Sequence, residues 1–167
     1  ENQAVFYHRA GTPQDRDERV YGGENPDWTY GLRVTEDGRY LVISVHQGTD
    51  TRNRVYIRDL EGGPEIIRLL DDFDASYDFI GNEWTRFYFR TDLGAPRGRV
   101  FAMDLAGRSP ERHEEILPQS GDVLSAALMI HGELVTVYMH DAHDRITIQD
   151  LRGRPVRELP LPAIGAV

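Results

Sequence analysis

The chain has 167 residues, a length that suits one domain, and 40% of them are hydrophobic, enough to build a packed core. Its formal net charge of -9 comes from 28 acids against 19 bases, all of them arginine, and an acidic surface without a basic stripe argues against nucleic acid or an anionic membrane as partner. Cysteine is absent, so there is no disulfide framework and no thiolate chemistry, and no run approaches the ~18–20 apolar residues of a membrane helix. A cytoplasmic or a periplasmic location fits equally, and because the chain starts at Glu1 rather than Met a removed targeting segment stays open.

In chain order, Ala4 to His8 reads as a strand, Ala10 to Glu18 as a hairpin loop of turn formers, and Arg19-Val20-Tyr21 as the returning strand. This is half a structural unit, whose inner strands are expected upstream of Glu1. A whole unit follows, opening at Leu32-Arg33-Val34. The turn Glu36-Asp37-Gly38 leads into the β-branched and aromatic run Tyr40 to Val45, and the loop Gly48 to Asn53 leads into Val55-Tyr56-Ile57. There Arg54 and Arg58 flank the apolar residues, and Asp59-Leu60-Glu61-Gly62-Gly63 closes the unit. The same order recurs from Tyr77-Asp78-Phe79-Ile80 to Asp104-Leu105-Ala106-Gly107 and from Val123 to Asp150-Leu151-Arg152-Gly153. Pro110 to Leu117 reads as a short turn, and Pro160 to Val167 as the end of an outer strand and the start of a further innermost one.

Two markers keep one period. The closing Asp residues stand at 59, 104 and 150, and the arginines at 54, 99 and 145, so both step by 45 and then 46. A period of about 40–50 residues with several short strands in each is the signature of β-propeller blades, which bury their faces only by stacking on neighbours. The predicted fold is therefore all-β, a partial β-propeller of four-stranded antiparallel blades. Its boundaries are 1-31 for an outer half-blade, 32-76, 77-122 and 123-162 for whole blades, and 163-167 for the start of the next.

The side chains that could carry chemistry read as structural. His140-Asp141-Ala142-His143-Asp144 places imidazoles and carboxylates close together, but in a loop where both are ordinary turn residues, with no cysteine to complete a zinc site. The acidic run Asp71-Asp72-Phe73-Asp74 lacks the Gly and Glu of a calcium loop. No metal and no cofactor is expected. Arg54, Arg99 and Arg145 are read as outer-face arginines covering aromatics and pairing with acids rather than as a ring aimed at an anion. Tyr40, Tyr56, Phe87, Tyr88, Phe89, Phe101 and Tyr138 are read as core.

Beyond these patterns, the chain resembles the prolyl oligopeptidase family of serine peptidases. The strings that carry the resemblance are Phe6-Tyr7-His8 with Gly11-Thr12, Trp28 before Thr35 to Tyr40, Gly48-Thr49-Asp50 to Asn53-Arg54, Asp72-Phe73, Tyr77-Asp78-Phe79 and Asn82-Glu83, then Asp122-Val123-Leu124 with Leu134 to His140-Asp141. The resemblance covers essentially the whole chain. It implies a seven-bladed propeller capping an α/β-hydrolase domain, of which this chain is about three and a half blades, from the outer half of the third to the start of the seventh.

By position the resemblance places Trp28 and Thr29 on a Trp-Met pair, Thr49 on a cysteine near the catalytic centre, and His46 where an arginine is common, so these four are the candidate substrate-cavity residues. The nucleophile elbow G-x-S-x-G is missing around Ser44, Ser76, Ser109, Ser120 and Ser125. The implied role is thus a non-catalytic propeller fragment that gates peptide access to a Ser-Asp-His site cleaving after proline, with no catalytic residue of its own. The implied partners are the missing hydrolase domain, proline-containing peptides, and a second copy of the fragment by self-association. The alternative is a stand-alone propeller that binds or scaffolds without any hydrolase, against which stands the lack of a Gly-His…Trp-Asp repeat.

Overall fold

The computed structural model describes residues 2–106, 113–141 and 143–161. Strand dominates it, in two compact units, Glu1–Asp74 and Ala75–Val167.

The first unit opens with β1 (Ala4–Tyr7) and β2 (Glu18–Gly22), an antiparallel pair whose connection carries one 3-10 turn at Gln14–Arg16. Four strands follow as a meander, β3 (Trp28–Val34), β4 (Tyr40–Gln47), β5 (Asn53–Asp59) and β6 (Ile66–Leu70), in sheet order β3-β4-β5-β6. Alternation sorts their side chains. Tyr30, Val45, Ile43 and Tyr56 share one face, where Ile43, Val45 and Tyr56 are fully buried and Tyr21 of β2 packs on them. The Tyr21 ring meets Tyr30 at 5.7 Å and Tyr56 at 5.4 Å, both edge to face, the arrangement that aromatic quadrupoles favour. Gly22 is needed there: its φ is +85°, and a Cβ would sit 2.7 Å from the Tyr30 ring.

The second unit holds two four-stranded sheets. One is β7 (Tyr77–Glu83), β8 (Arg86–Thr91), β9 (Arg99–Asp104) and β10 (Glu114–Leu117); the other is β11 (Val123–Ile130), β12 (Glu133–His140), β13 (His143–Asp150) and β14 (Pro155–Leu159). They share a core in which Ile80, Tyr88, Val100 and Ile116 meet Leu124, Leu134 and Tyr138. At its closest point a Cβ added to Gly81 of β7 would lie 2.7 Å from the Cβ of Met129 on β11, so a glycine there lets the two first strands touch. The other face of β7–β10 carries Phe79, Phe87, Phe89 and Phe101, with Phe89 and Phe101 stacked at 5.5 Å.

The all-β architecture of four-stranded antiparallel sheets matches the expectation, and the period has a cause in register. Tyr30–Val45–Arg54, Tyr77–Thr91–Arg99 and Leu124–Tyr138–Arg145 are the same cross-strand row in three sheets. The closing aspartates also repeat one job: Asp59 accepts from the amides of Glu61 and Gly62, Asp104 from that of Ala106, and Asp150 from those of Arg152 and Arg154. These hydrogen bonds help to hold all three carboxyls below their usual range, with the Arg39 guanidinium first for Asp59, the Thr85 hydroxyl first for Asp104 and the Arg154 amide first for Asp150.

One expected turn is a strand. Glu114–Leu117 pairs with β9, Glu115 opposite Phe101, because its polar residues fall on an outermost strand while Ile116 and Leu117 face the core. The rest of that expected turn, residues 110–112, lies outside the described residues, as does the expected strand start at 163–167. The whole-blade opening expected at Leu32 begins earlier, at Trp28. No helix among the described residues is long and apolar enough to cross a membrane.

Candidate functional site

The four cavity candidates fall at one end of the β3–β4 ladder. Trp28 and Thr29 are the first residues of β3, His46 lies opposite Thr29 near the end of β4, and Thr49 sits in the turn that follows. Pairing brings Thr29 and His46 together on one face, with Asn53 of β5 next in the row. Trp28, one residue earlier, faces the other way, into the aromatic cluster with Tyr21 and Tyr30.

The surroundings of these residues are well tied down. Gly48 donates its amide to the carbonyl of Asp27, which fastens the β4–β5 turn to the entry of β3. In the same turn Asp50 accepts from the amide, Nε and NH2 of Arg52, and the Arg52 hydrogen bonds hold its carboxyl down at about 2. Arg54 lies over the Trp28 ring at 5.1 Å and over Phe73 at 4.4 Å, and its Nε donates to the carbonyl of Asp71. The Asp71 carboxylate also accepts from Tyr56, whose phenol is pushed up by burial and then by that carboxylate.

The other two repeated arginines also pair with acids. Arg99 pairs with Glu115 at 3.4 Å, and Arg145 pairs with Asp122 at 2.9 Å while lying 5.9 Å from the Tyr138 centroid. All three meet acids, and Arg54 and Arg145 also lie over aromatic rings; the seven aromatics assigned to the core are all buried.

At the corresponding end of the β11–β12 ladder stands the His140 cluster. His140 Nδ1 is 2.6 Å from Asp122 Oδ1, its Nε2 is 3.4 Å from Asp141 Oδ2, and its ring meets that of His143 at 5.7 Å, edge to face. Asp122 is shared with Arg145 and its carboxyl is lowered, first by the His140 hydrogen bond, while Asp122 raises the imidazole. An imidazole held charged this way is a poor general base. Among the described residues no group of three or more His, Asp or Glu side chains is arranged to hold a metal ion. The serine hydroxyls also serve the backbone: Ser120 donates to the carbonyl of Asp122 and Ser125 to that of Val137.

Sequence reasoning missed three parts of this end of the sheets. The Asp50–Arg52 clamp was legible as an Asp-x-Arg turn. The seat of Phe73, which has a positive φ of 53°, was not, and neither was Asp122 as the partner of a histidine 18 residues away.

Comparison with known proteins accounts for the architecture. The sequence matches the family of the prolyl oligopeptidase N-terminal β-propeller domain over residues 1–167. It is 30% identical to prolyl oligopeptidase A of Galerina marginata over 97% of this chain and 23% of that protein, and 30% identical to a prolyl endopeptidase of Elizabethkingia meningoseptica over 96% and 23%. Among solved structures, one from a study of two prolyl endopeptidases superposes with a TM-score of 0.91 at 33% identity, covering 99% of this chain and 25% of that one. Prolyl oligopeptidase B from Galerina marginata, in its apo form, gives 0.90 at 28% identity over 99% and 24%. The chain thus spans about a quarter of the length of the relatives it matches. It belongs to the prolyl oligopeptidase N-terminal β-propeller domain family.

Proposed function

We propose that this chain is part of the propeller of a prolyl oligopeptidase-like serine peptidase, and that it restricts which peptides reach a catalytic centre carried elsewhere in the parent protein. The observation that carries the reading is the family match along the entire chain, combined with a sequence in which no serine has the flanks of a nucleophile elbow. A rigid all-β wall suits that work: it excludes folded proteins by size and keeps water from a closed site. In this reading the outer half of one blade ends before β3, whole blades run from Trp28 to residue 76, over 77-122 and over 123-162, and Thr29, His46 and Thr49 face the substrate with Trp28 bracing the sheet behind them.

The test is made on the intact parent and on this chain side by side, with a fluorogenic proline-containing peptide and a serine-directed covalent probe. The parent is expected to cleave the short peptide, spare the same sequence embedded in a folded protein, and take the probe at one serine outside residues 1–167. The chain alone is expected neither to cleave the peptide nor to take the probe. Probe labelling of any serine within the chain overturns the assignment of catalysis to another part of the parent, and a parent that lacks a G-x-S-x-G motif overturns the peptidase reading and leaves a binding or scaffold propeller.

A further inference from the structure

The acidic run Asp71-Asp72-Phe73-Asp74 folds over the end of the first unit's four-stranded sheet. Asp71 is tied down three ways: its carbonyl accepts from Arg54 Nε at 3.0 Å, and its carboxylate accepts from the Tyr56 hydroxyl and from Arg68 Nη1 at 3.5 Å. Two residues on, two guanidiniums lie over the Phe73 ring, that of Arg54 at 4.4 Å and that of Arg52 at 5.2 Å from its centroid. Both are within reach of a cation–π contact.

The backbone at Phe73 is unusual in the same place. Among the described residues, the non-glycine residues with a positive φ are Phe73, Trp84, His131 and Asp141. The last three stand in the hairpin turns β7–β8, β11–β12 and β12–β13, where a tight turn asks for a left-handed residue. Phe73, with a φ of 53°, stands instead in the connection from β6 to β7, which makes no such demand, and a bulky side chain in that conformation is an outlier. The conformation goes with the seat of its ring, and backbone strain of this kind persists where the surroundings hold it and function uses it.

The two arginines lead to different parts of the candidate site. Arg52 belongs to the β4–β5 turn, where its clamp on Asp50 adjoins Thr49. Arg54 belongs to β5 and lies over Trp28, the chain neighbour of Thr29. Trp28 and Arg54 share the sheet face opposite to Thr29 and His46, so the Phe73 ring stands behind those two side chains. Trp28 Nε1 and Arg54 Nη1 are both buried without an acceptor among the described residues, which leaves ring contacts to hold them. We propose that Phe73 is a positioning residue of the substrate wall: by seating Arg52 and Arg54 on one ring it fixes the Thr49 turn relative to Thr29 and His46, and so sets the shape that a peptide meets. The proposal rests on the reading that those three residues face the substrate. A wall of this kind holds substrate and transition state alike, so its displacement raises KM and spares kcat.

The test uses the intact parent, labelled with fluorotryptophan for fluorine NMR and assayed with proline-containing peptides of increasing length. Phe73→Ala and Phe73→Gly are expected to move the Trp28 signal, assigned by Trp28→Phe, and to leave the Trp84 signal in place. Both are expected to raise KM about three- to tenfold with kcat unchanged within about twofold, while Phe73→Tyr, which keeps the ring, restores both readouts. Glycine adopts a φ of 53° without strain and alanine does not, so the two variants should differ in unfolding midpoint. KM values that follow the midpoint rather than the loss of the ring overturn the proposal, as does a Trp28 signal that Phe73→Ala leaves unmoved. Thr29→Leu separates this inference from the functional one. If it moves KM and the Phe73 variants do not, the proposal fails and the reading of the wall stands. If neither moves KM although the Trp28 signal shifts, or if the parent cleaves no proline peptide, the reading of the wall fails and takes the proposal with it.

Discussion

The first strands of two sheets, β3 and β11, present the same kind of side chain at the same register and meet opposite fates. On β11, Ala127 and Met129 pack into a core with β7 close above them; on β3, Leu32 and Val34 lie more than half exposed. Neither hydropathy nor strand propensity distinguishes the two, so burial here is decided by the neighbouring sheet and not by the strand itself. That is the behaviour of a repeat architecture, in which each unit depends on the next for its core. It follows that equal substitutions at equivalent positions should carry unequal costs in the two units.

The largest difference is expected at the second strand. Leu134→Ala removes a side chain that is fully buried between two sheets and should cost about 2–5 kcal/mol. Its register counterpart, Leu41→Ala, truncates a half-buried residue at the rim of an open groove that Leu32 and Val34 also line, and should cost less than half as much. Urea unfolding of the two variants checks this, and equal losses would mean that the groove is as well packed as the core of the second unit. Next comes Gly81→Ala. The new methyl meets the Cβ of Met129, which no rotamer moves, so overpacking of about 1–3 kcal/mol is expected. Met129→Ala clears only the Cγ and Sδ contacts, so the double variant should recover part of the loss. Full recovery would show that the sheets separate more easily than the close approach of β7 and β11 implies.

A smaller effect tests the repeated turns. Asp59→Ala strips the acceptor from two amides and from Arg39, and Asp104→Ala strips it from Ala106 and the Thr85 hydroxyl. Each should cost about 0.5–1.5 kcal/mol, and because the turns do one job the two costs should be alike despite the difference between the units. Unequal losses in thermal unfolding would show that turn strength also depends on the surrounding sheet.

How much of this was legible in the sequence follows from where the information lies. The period was visible because Arg54, Arg99 and Arg145 occupy one cross-strand row and Asp59, Asp104 and Asp150 close one kind of turn, so selection on local geometry leaves marks at fixed spacing. The strand Glu114–Leu117 was hidden, because an outermost strand with one solvated side has no hydrophobic alternation to show over four residues. The opposed faces of Trp28 and Thr29 were hidden as well: treated as loop they have no face, and treated as strand they must point apart. The openness of Leu32 and Val34 was legible only indirectly, through the half-unit read at residues 1–31, since it belongs to the neighbouring sheet and nothing in β3 itself marks it.

The last prediction concerns the two ladder ends compared above, where Thr29 and His46 stand near one and Asp122 and His140 at the other. Asp122 holds His140 above the ordinary imidazole range of about 6.5, and His140 in turn is the first cause of the lowered Asp122 carboxyl. A raised histidine contributes stability that is complete below its unfolded value and disappears as pH rises through its folded value. A lowered aspartate contributes above its unfolded value and loses that contribution as pH falls through its folded one. The pair therefore works in the window between the folded value of Asp122 and that of His140, with Arg145 beside Asp122 and Asp141 beside His140 sharing the field. The His140 side chain is half exposed, so the effect on stability should be small and should fade with salt. An NMR titration resolves it better than unfolding does. His140 is expected to titrate above about 6.5 in low salt, and Asp122→Asn is expected to bring it down while Arg145 stays in place. A His140 midpoint unmoved by Asp122→Asn would show that Asp141 dominates, and that the contact closing the β11–β12 ladder is packing without charge.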